Sequence, residues 1–423
     1  MPIPQPGGRQ VRTAEEVKGV PRGPAKSLWR TAKEEAAVRG PARPPPKLAP
    51  AAPGPRTMRD RVAFLRHAIL KWVDEYLKHI FQSRRQLRSY PTGRTGVYRL
   101  PEDVLIALAS DWGTGTASAY RVADEIGKTN PDVTIHLGDV YYSGTEEEYR
   151  TYFMAPGCWP RGKLQTGSDL EARGSYVLNA NHEMYSGGRG YFDVALPGLS
   201  QEASYFCLEN DHWRIVGVDT GYHCTRGLKK VFSFIFGDKT KLDAANLTWL
   251  KQVVFRDASD RRPVILLSHH QWFSAFDDRD YPTIGEQLQP FLDRVALWFW
   301  GHEHRFAGYT AFAPSGTKVR ARCIGHGGMP IEIGWKHKEP NTAVFSDQRR
   351  AGNTDDGTAV GFCGFALLEF RAEQLVIRYV DENGKRLLEE KWVQQGDKLA
   401  GSAELLENSP GFEVYRPIQD LVI

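Results

Sequence analysis

The sequence predicts an α/β protein built on a mixed β-sheet, with further β-strands added at its C-terminal end. Continuous apolar runs such as Val104–Ala109 and Val133–Leu137 are separated by a helical stretch around Ala119–Ile126. This alternation is typical of strands that are buried on both faces. Near the C-terminus three strands follow one another, and the Glu382-Asn383-Gly384 turn between the last two indicates a hairpin.

The other elements of the body continue this alternation of apolar runs and helical spacing. Helices are predicted at Glu146–Phe153 and Leu242–Val254, and strands at Tyr176–Leu178, Trp213–Val218, Pro263–Leu267, Val295–Trp300, Phe365–Phe370, Gln374–Val380 and Arg386–Trp392.

Composition indicates an ordinary globular protein with a strong charge asymmetry. Of the 423 residues, 41% are hydrophobic and 25% charged, which is enough for a large core. Residues 1–90 contain 19 Lys and Arg but 7 Asp and Glu, which gives them a net charge of +12. Since the whole chain has a net charge of +4, the remaining residues have a net charge of −8. Only the N-terminal region is therefore a candidate for contact with polyanions.

Four regions are predicted along the chain. Residues 1–57 hold 12 of the 26 prolines and few apolar side chains, which predicts a disordered Pro/Ala/Arg-rich extension. Residues 58–90 place apolar side chains at three- and four-residue spacing among basic ones, which predicts a basic amphipathic helix. That helix either docks on the body or a second subunit, or lies on a membrane surface. The body is predicted over residues 100–395 and a C-terminal tail over 396–423.

Cysteine usage and the N-terminus bear on the compartment. The five cysteines are odd in number and scattered without a C-x-x-C pair, which disfavours a disulfide framework and favours a reducing compartment. The first residues lack the apolar region of a signal peptide, and no run approaches the ~18 apolar residues that span a bilayer. We expect a cytoplasmic protein, with peripheral membrane association as the alternative.

Five short polar motifs each follow an apolar run predicted as a strand. They supply carboxylate, phenolate, amide and imidazole groups, a mixture that suits two adjacent metal ions. In α/β folds, ligand sites gather beyond the carboxyl ends of strands. The motifs are Asp111-Trp-Gly, Gly138-Asp-Val-Tyr-Tyr142, Asn181-His-Glu183, Ser268-His-His270 and Gly301-His-Glu-His304.

Two of these motifs have spacings that suit a pair of ions. Asp139 follows Gly138 directly after a predicted strand, where its carboxylate can bridge two cations while the glycine lets the backbone approach closely. His302 and His304 are separated by one residue, so in an extended chain both face one way and each can reach a different ion.

From Leu105 to Phe306 these motifs resemble the blocks of the calcineurin-like metallophosphoesterase superfamily. Within it, the Asp-Trp-Gly start and the tyrosine at Tyr142 resemble the purple acid phosphatases, because most other branches have a histidine where Gly113 stands. The resemblance implies a four-layer αββα sandwich of two mixed β-sheets, the metallophosphoesterase fold, with the C-terminal strands in the second sheet.

The resemblance also implies a set of ligands and metals. One ion would be held by Asp111, Tyr142 and His304, the other by Asn181, His269 and His302, with Asp139 bridging both. A phenolate favours a trivalent ion, so Fe(III) paired with Zn(II), Mn(II) or Fe(II) is implied. If Tyr142 only packs, the first ion keeps Asp111, Asp139, His304 and water.

The implied function is hydrolysis of phosphate esters at a dinuclear metal centre. Hydroxide generated at the metals would attack phosphorus, and His182 would act as general acid or hydrogen-bond the phosphoryl group. His270 and His326 are candidate substrate contacts, with structural roles as the alternative for both. The competing functions are a phosphodiesterase for cyclic nucleotides, nucleic acid or phospholipid head groups, and a non-catalytic interaction protein. The presence of every ligand disfavours the last of these.

Two features depart from the family pattern or stand outside it. Ala180 stands where the family has glycine, and if that position needs positive φ, alanine costs about 1 kcal/mol or more. Aromatic residues at Val231–Phe236 and at Trp272, Phe273 and Phe276 either close the core or form an apolar wall beside the metals. Such a wall would favour a substrate with a hydrophobic leaving group.

Overall fold

The structure is a computed structural model and describes residues 84–423, apart from 166–167, 169, 225–239, 277–279, 332, 335–336, 339–341, 354–358 and 397. The predicted extension over 1–57, residues 58–83 of the predicted amphipathic helix and the aromatic segment 231–236 lie outside the described residues. Residues 84–90, which the sequence assigned to that helix, are not helical.

Eighteen strands run through the described part of the chain. They are β1 Val97–Arg99, β2 Asp103–Ala109, β3 Val133–His136, β4 Ser175–Val177, β5 Phe206–Glu209, β6 Arg214–Gly217, β7 Val264–Leu267, β8 Val295–Trp300, β9 Phe306–Phe312, β10 Lys318–Ile324, β11 Ala343–Asp347, β12 Arg350–Asn353, β13 Ala359–Gly361, β14 Gly364–Arg371, β15 Gln374–Asp381, β16 Arg386–Gln395, β17 Lys398–Leu405 and β18 Phe412–Val414.

The helices of the described residues are short, apart from the first. They are α1 Ala117–Thr129, α2 Glu146–Glu148, α3 Asn181–Tyr185, α4 Leu196–Gly198, α5 Ala244–Trp249 and α6 Pro282–Leu288, with further helical turns at Tyr149–Phe153, Gly190–Ala195, Leu250–Val254, Gln289–Arg294 and Ile418–Leu421. The strands and helices predicted between residues 104 and 392 are confirmed to within about three residues at each end. Among the described residues, no helix is long and apolar enough to cross a bilayer.

Two mixed sheets form the centre of the fold. The nine-stranded sheet has the order β1-β5-β6-β7-β8-β10-β9-β11-β18, and the seven-stranded sheet has the order β17-β16-β15-β14-β2-β3-β4. The parallel neighbours include β2–β3–β4 in one sheet and β6–β7–β8 in the other. Their carboxyl ends provide the kind of edge at which α/β folds place ligand sites.

Alternating side chains of the sheets fill three apolar layers. On β2, Ile106 and Leu108 pack between the sheets, while Ala107 and Ala109 pack with α1 on the outer face. On the outer face of the nine-stranded sheet, α5 and α6 pack against β7 and β8. Helices therefore flank two stacked sheets, and the predicted four-layer αββα sandwich is confirmed.

The segment 396–423, set apart from the body by the sequence prediction, is part of both sheets. Strand β17 pairs with β16 at the edge of the seven-stranded sheet, and β18 pairs with β11 at the edge of the nine-stranded sheet. The same stretch thus contributes an edge strand to each sheet.

A buried ion pair links the two sheets. Arg322 on β10 and Glu390 on β16 both have 0% exposure, and the guanidinium donates two hydrogen bonds of 2.7 and 2.9 Å to the carboxylate. The Tyr379 hydroxyl and the Trp392 indole N–H also donate to Glu390, at 2.8 and 3.1 Å. Every group of this pair has a direct partner, as a buried charge requires.

Candidate metal centre

The polar motifs meet where parallel strands of both sheets end. Asp111 follows β2 and Asp139 follows β3 in the seven-stranded sheet, whereas His269 follows β7 and His302 follows β8 in the nine-stranded sheet. The side chains of Asp111, Asp139 and His269 offer ligand atoms that lie within 4.8 Å of one another. The structure therefore brings together residues up to about 200 positions apart in the sequence.

One set of donor atoms lies around the Nε2 atom of His269. This nitrogen lies 3.2 Å from Asn181 Oδ1, 3.2 Å from His302 Nδ1 and 3.3 Å from Asp139 Oδ2. Ligands about 2.1 Å from one cation are about 3.0 to 3.4 Å from each other in octahedral or tetrahedral geometry. The His269 Nδ1–H donates to the Leu137 carbonyl at 3.1 Å, which directs the Nε2 lone pair into this set.

A second set has the same spacing and shares Asp139. The Tyr141 hydroxyl lies 2.8 Å from Asp111 Oδ1, 3.0 Å from His304 Nε2 and 3.4 Å from Asp139 Oδ2, and His304 Nε2 lies 3.3 Å from Asp111 Oδ1. Asp139 Oδ2 is thus common to both sets. Two four-atom donor sets with one shared carboxylate oxygen fit a pair of bridged cations.

The prediction that Tyr142 supplies the phenolate is wrong, because Tyr141 occupies that place. Glu148 accepts the backbone N–H of Tyr142 at 2.6 Å and that of Ser143 at 3.1 Å, which fixes the loop after Asp139. In this loop the ring of Tyr141 points to the centre. Tyr142 contributes its carbonyl, which accepts a hydrogen bond of 2.7 Å from His182 Nδ1.

The candidate ligands hold uncommon backbone conformations. Seven non-glycine residues of the described chain have positive φ, and four of them are Asp111 (58°), Asp139 (67°), His302 (68°) and His304 (45°). Such conformations cost about 1 to 3 kcal/mol each and cluster at functional sites. The two carboxylates hold this backbone, since Asp111 Oδ2 accepts the His302 N–H at 2.9 Å and Asp139 Oδ1 accepts the His182 N–H at 3.0 Å.

The centre collects buried charge of both signs. Burial by itself raises the pKa of Asp139, but the charges of His182 and His269 outweigh it and lower that pKa well below its usual range. Burial lowers the pKa of His269, and the facing Asp139 carboxylate raises it to about 9. The His269 imidazole and the Asp139 carboxylate thus each favour the charged form of the other.

Glu183 has a supporting role that the sequence analysis did not assign. Its carboxylate accepts the backbone N–H of Val140 at 2.9 Å and of Asp139 at 3.3 Å, and the Tyr149 hydroxyl donates to it at 2.9 Å. Burial and the nearby Asp139 raise its pKa to about 8. Its place directly after His182 in the motif was the available signal.

His182 lies over the shared carboxylate. Its ring centroid is 4.5 Å from that of Tyr141 and 4.8 Å from that of Tyr185, and its Nδ1–H is taken up by the Tyr142 carbonyl. Its Nε2 lies 3.8 Å from Asp139 Oδ2. The remaining nitrogen therefore faces the centre.

The two candidate substrate contacts differ. His270 is bonded through its backbone N–H and Nδ1 to the Thr220 hydroxyl, at 3.0 Å in both cases, and its ring lies 4.6 Å from that of His302. It borders the centre, and its contact with substrate stays a prediction. His326 is 1% exposed and stacks on Phe306 at 5.1 Å, and burial lowers its pKa to about 3. The prediction for His326 as a substrate contact is wrong, because its ring belongs to the core.

Ala180 carries no backbone strain. Its φ of −142° is extended, so the condition under which alanine would be costly does not arise. Its neighbours provide the space, since a Cβ on Gly138 would lie 2.6 Å from the Ala180 Cβ and a Cβ on Gly221 would lie 2.5 Å from the Ala180 nitrogen. Glycine is therefore needed at positions 138 and 221, where a side chain would collide with Ala180, and not at position 180 itself.

Trp272, Phe273 and Phe276 are buried in the apolar layer outside the nine-stranded sheet. For these three side chains the prediction of a core position is confirmed, and they do not form an apolar wall beside the candidate metal centre.

A sequence model of the calcineurin-like phosphoesterase family matches residues 104–306. Among solved structures, the chain is similar to GAP50, the anchor in the inner membrane complex of Plasmodium, at 12% identity over 75% of this chain and 93% of that chain, with a TM-score of 0.44. PhoD is also 12% identical over 76% of this chain and 75% of that chain, with a TM-score of 0.44. A Vps29 single mutant from Entamoeba histolytica is 12% identical over 72% and 99%, with a TM-score of 0.25. No curated protein matches the chain.

Proposed function

We propose that this chain, whose residues 104–306 match the calcineurin-like phosphoesterase family, is a metal-dependent phosphoesterase that hydrolyses phosphate esters at a centre of two metal ions. The observation that carries the proposal is the pair of four-atom donor sets sharing Asp139 Oδ2, in which His269 Nε2 and the Tyr141 hydroxyl lie 2.8 to 3.4 Å from the other donors of their sets.

The donor chemistry suggests which ion each set takes. Asp111, Tyr141 and His304 would hold the first ion, and Asn181, His269 and His302 the second, with Asp139 between them. A phenolate ligand favours a trivalent cation, so we propose Fe(III) in the first set and Zn(II), Mn(II) or Fe(II) in the second. Two such ions neutralise the phosphoryl oxygens and lower the pKa of water.

His182 is the proposed general acid. Because its Nδ1–H is held by the Tyr142 carbonyl, the proton it can give to a leaving oxygen is the one on Nε2. The rings of Tyr141 and Tyr185 on either side restrain its rotation. His270, fixed by Thr220 beside His302, is the proposed contact for a phosphoryl oxygen.

Metal analysis with an absorption spectrum tests the centre. We expect two metal ions per chain and, with iron bound, a tyrosinate–Fe(III) charge-transfer band. That band should vanish in Tyr141→Phe and persist in the matched variant Tyr142→Phe. A colourless and fully active protein that holds only zinc or manganese would refute the ferric assignment, and fewer than two ions per active chain would refute the dinuclear one.

A panel of esters then decides between monoester and diester substrates. p-Nitrophenyl phosphate and bis(p-nitrophenyl) phosphate have the same leaving group, so their relative kcat/KM isolates the preference. Faster turnover of the diester would select the phosphodiesterase alternative.

We also propose that the basic N-terminal extension brings polyanionic substrates to the centre. The described chain starts beside the loops around the site, with the Arg84 guanidinium 3.2 Å above the Tyr222 ring and the Arg85 N–H bonded to the Gly187 carbonyl at 3.0 Å. Arg85 also pairs with Asp193 at 2.6 Å. Deletion of residues 1–57 should abolish salt-sensitive binding of nucleic acid while hydrolysis of p-nitrophenyl phosphate is kept; unchanged binding would contradict the proposal.

A further inference from the structure

The two ring nitrogens of His302 have different partners. Nδ1 lies 3.2 Å from His269 Nε2, inside the donor set of the second ion. Nε2 lies 2.9 Å from the hydroxyl oxygen of Tyr281. A cation in that set takes the Nδ1 lone pair, so the neutral ring then carries its proton on Nε2, where Tyr281 can accept it.

Backbone contacts leave the rotation of this ring undetermined. The bond from the His302 N–H to Asp111 Oδ2 fixes where the side chain starts. The torsion about the Cβ–Cγ bond of histidine is broad and roughly two-fold, and a half-turn would exchange Nδ1 for a carbon atom. A partner for Nε2 selects one of these two orientations, as the Leu137 carbonyl does for the ring of His269.

Tyr281 is held independently of the centre. It is 4% exposed, its N–H donates to the Trp272 carbonyl at 2.8 Å, and its own carbonyl accepts the Ile284 N–H at 3.1 Å in the first turn of α6. Its ring meets that of His270 edge-on at 4.9 Å. The hydroxyl is therefore placed by the core and by α6 before any ion arrives.

We propose that Tyr281 is a positioning residue of the second metal site. Its hydroxyl oxygen accepts the Nε2–H of His302, and this bond fixes the tautomer and the ring orientation in which Nδ1 faces the ion. The inference rests on the proposed function, since it requires an ion in the set formed by Asn181, His269 and His302. Loss of such an outer partner typically weakens metal binding by about 10- to 100-fold.

Zinc titration of metal-free protein tests the proposal. We expect wild type to bind two Zn(II) ions with separate dissociation constants. In Tyr281→Phe one constant should rise by about 10- to 100-fold while the other stays unchanged. Tyr176→Phe is the matched control, because Tyr176 is fully buried and its hydroxyl accepts the Arg173 N–H at 3.0 Å, away from the centre. Both constants should be unchanged in that control.

A second measurement needs no variant. In zinc-loaded wild type labelled with ¹⁵N-histidine, the His302 ring should carry its proton on Nε2, and a proton on Nδ1 would overturn the inference. If wild type takes up none of Zn(II), Mn(II) and iron, the two-metal function itself fails. If wild type binds two ions and Tyr281→Phe binds both equally well, only the role of Tyr281 is refuted.

Discussion

The molecule contains two clusters of buried charge that are built on different principles. Arg322 and Glu390, between the sheets, satisfy each other through a two-pronged contact that Tyr379 and Trp392 complete. In the candidate metal centre, Asp111 and Asp139 are equally buried, yet their oxygens and the nearby imidazole nitrogens converge on common points. The paired charges of the first cluster satisfy each other, whereas the donor atoms of the second converge in the way that a bound cation requires.

The backbone shows the same contrast. Arg322 and Glu390 stand within the regular strands β10 and β16. The residues of the centre stand just beyond strand ends, and four of them have positive φ. The backbone hydrogen bonds of regular strands hold the residues of the ion pair in place. The residues of the centre lie in loops, whose backbone can adopt conformations that a regular strand does not allow.

The largest effect is expected from Asp139→Asn, which removes the negative charge that the two donor sets share with little change of shape. Loss of several kcal/mol of electrostatic stabilisation corresponds to a roughly thousandfold drop in kcat. Steady-state hydrolysis of p-nitrophenyl phosphate measures it. Glu390→Gln makes the same chemical change in the other cluster and should leave turnover per folded molecule unchanged. Equal turnover in both variants would contradict the distinction between the clusters.

Arg322→Met should act on stability and not on turnover. It leaves the Glu390 carboxylate buried without its cation, which typically costs about 3 to 5 kcal/mol in the free energy of unfolding. Urea denaturation measures the change, and assays below the transition measure activity per folded molecule. A loss under about 1 kcal/mol would show that the pair contributes no more than a surface ion pair.

The smallest effect concerns the buried histidine that the centre does not use. The pKa of His326 is lowered to about 3 by burial, while an unfolded histidine titrates near 6.5. The neutral form is thus favoured in the fold, so this contribution to stability is complete above about pH 6.5 and is lost as the pH falls toward 3.

His326→Phe should therefore flatten the decline of the unfolding free energy between pH 6.5 and pH 4, by at most about 1.4 kcal/mol per pH unit. Urea denaturation with a chelator present measures this slope apart from any metal effect. An unchanged slope would mean that His326 is not the group that takes up the proton.

Sequence patterns predicted which donor residues would converge because most of them follow strand ends. Asp111, Asp139, Asn181, His269 and His302 each come shortly after an apolar run, His304 follows His302 by two residues, and the structure brings all six together. The sequence pattern could not decide which of the two adjacent tyrosines places its hydroxyl in the centre. Whether Tyr141 or Tyr142 points inward depends on how Glu148 holds the loop, a contact six residues distant from Tyr142 that no local pattern encodes.

Much of the fold could also be predicted from the sequence. Strands buried on both faces, such as β2 and β3, are recognisable as continuous apolar runs. The strand β17 has alternating exposed and half-buried side chains, and β18 is only three residues long. Such edge strands depend on pairing with β16 and β11, so their presence follows from tertiary contacts and not from local composition.

The position of β2 has a consequence for biosynthesis. This strand leads into Asp111 and is flanked by β3, which is made shortly afterwards, and by β14, which is made about 250 residues later. Nascent chains fold as they emerge from the ribosome, and long-range pairing is slow to form. The strand that leads into Asp111 therefore gains its second neighbour only when Gly364–Arg371 has been translated. Full support of the backbone that positions Asp111 is accordingly a late event in the folding of the protein.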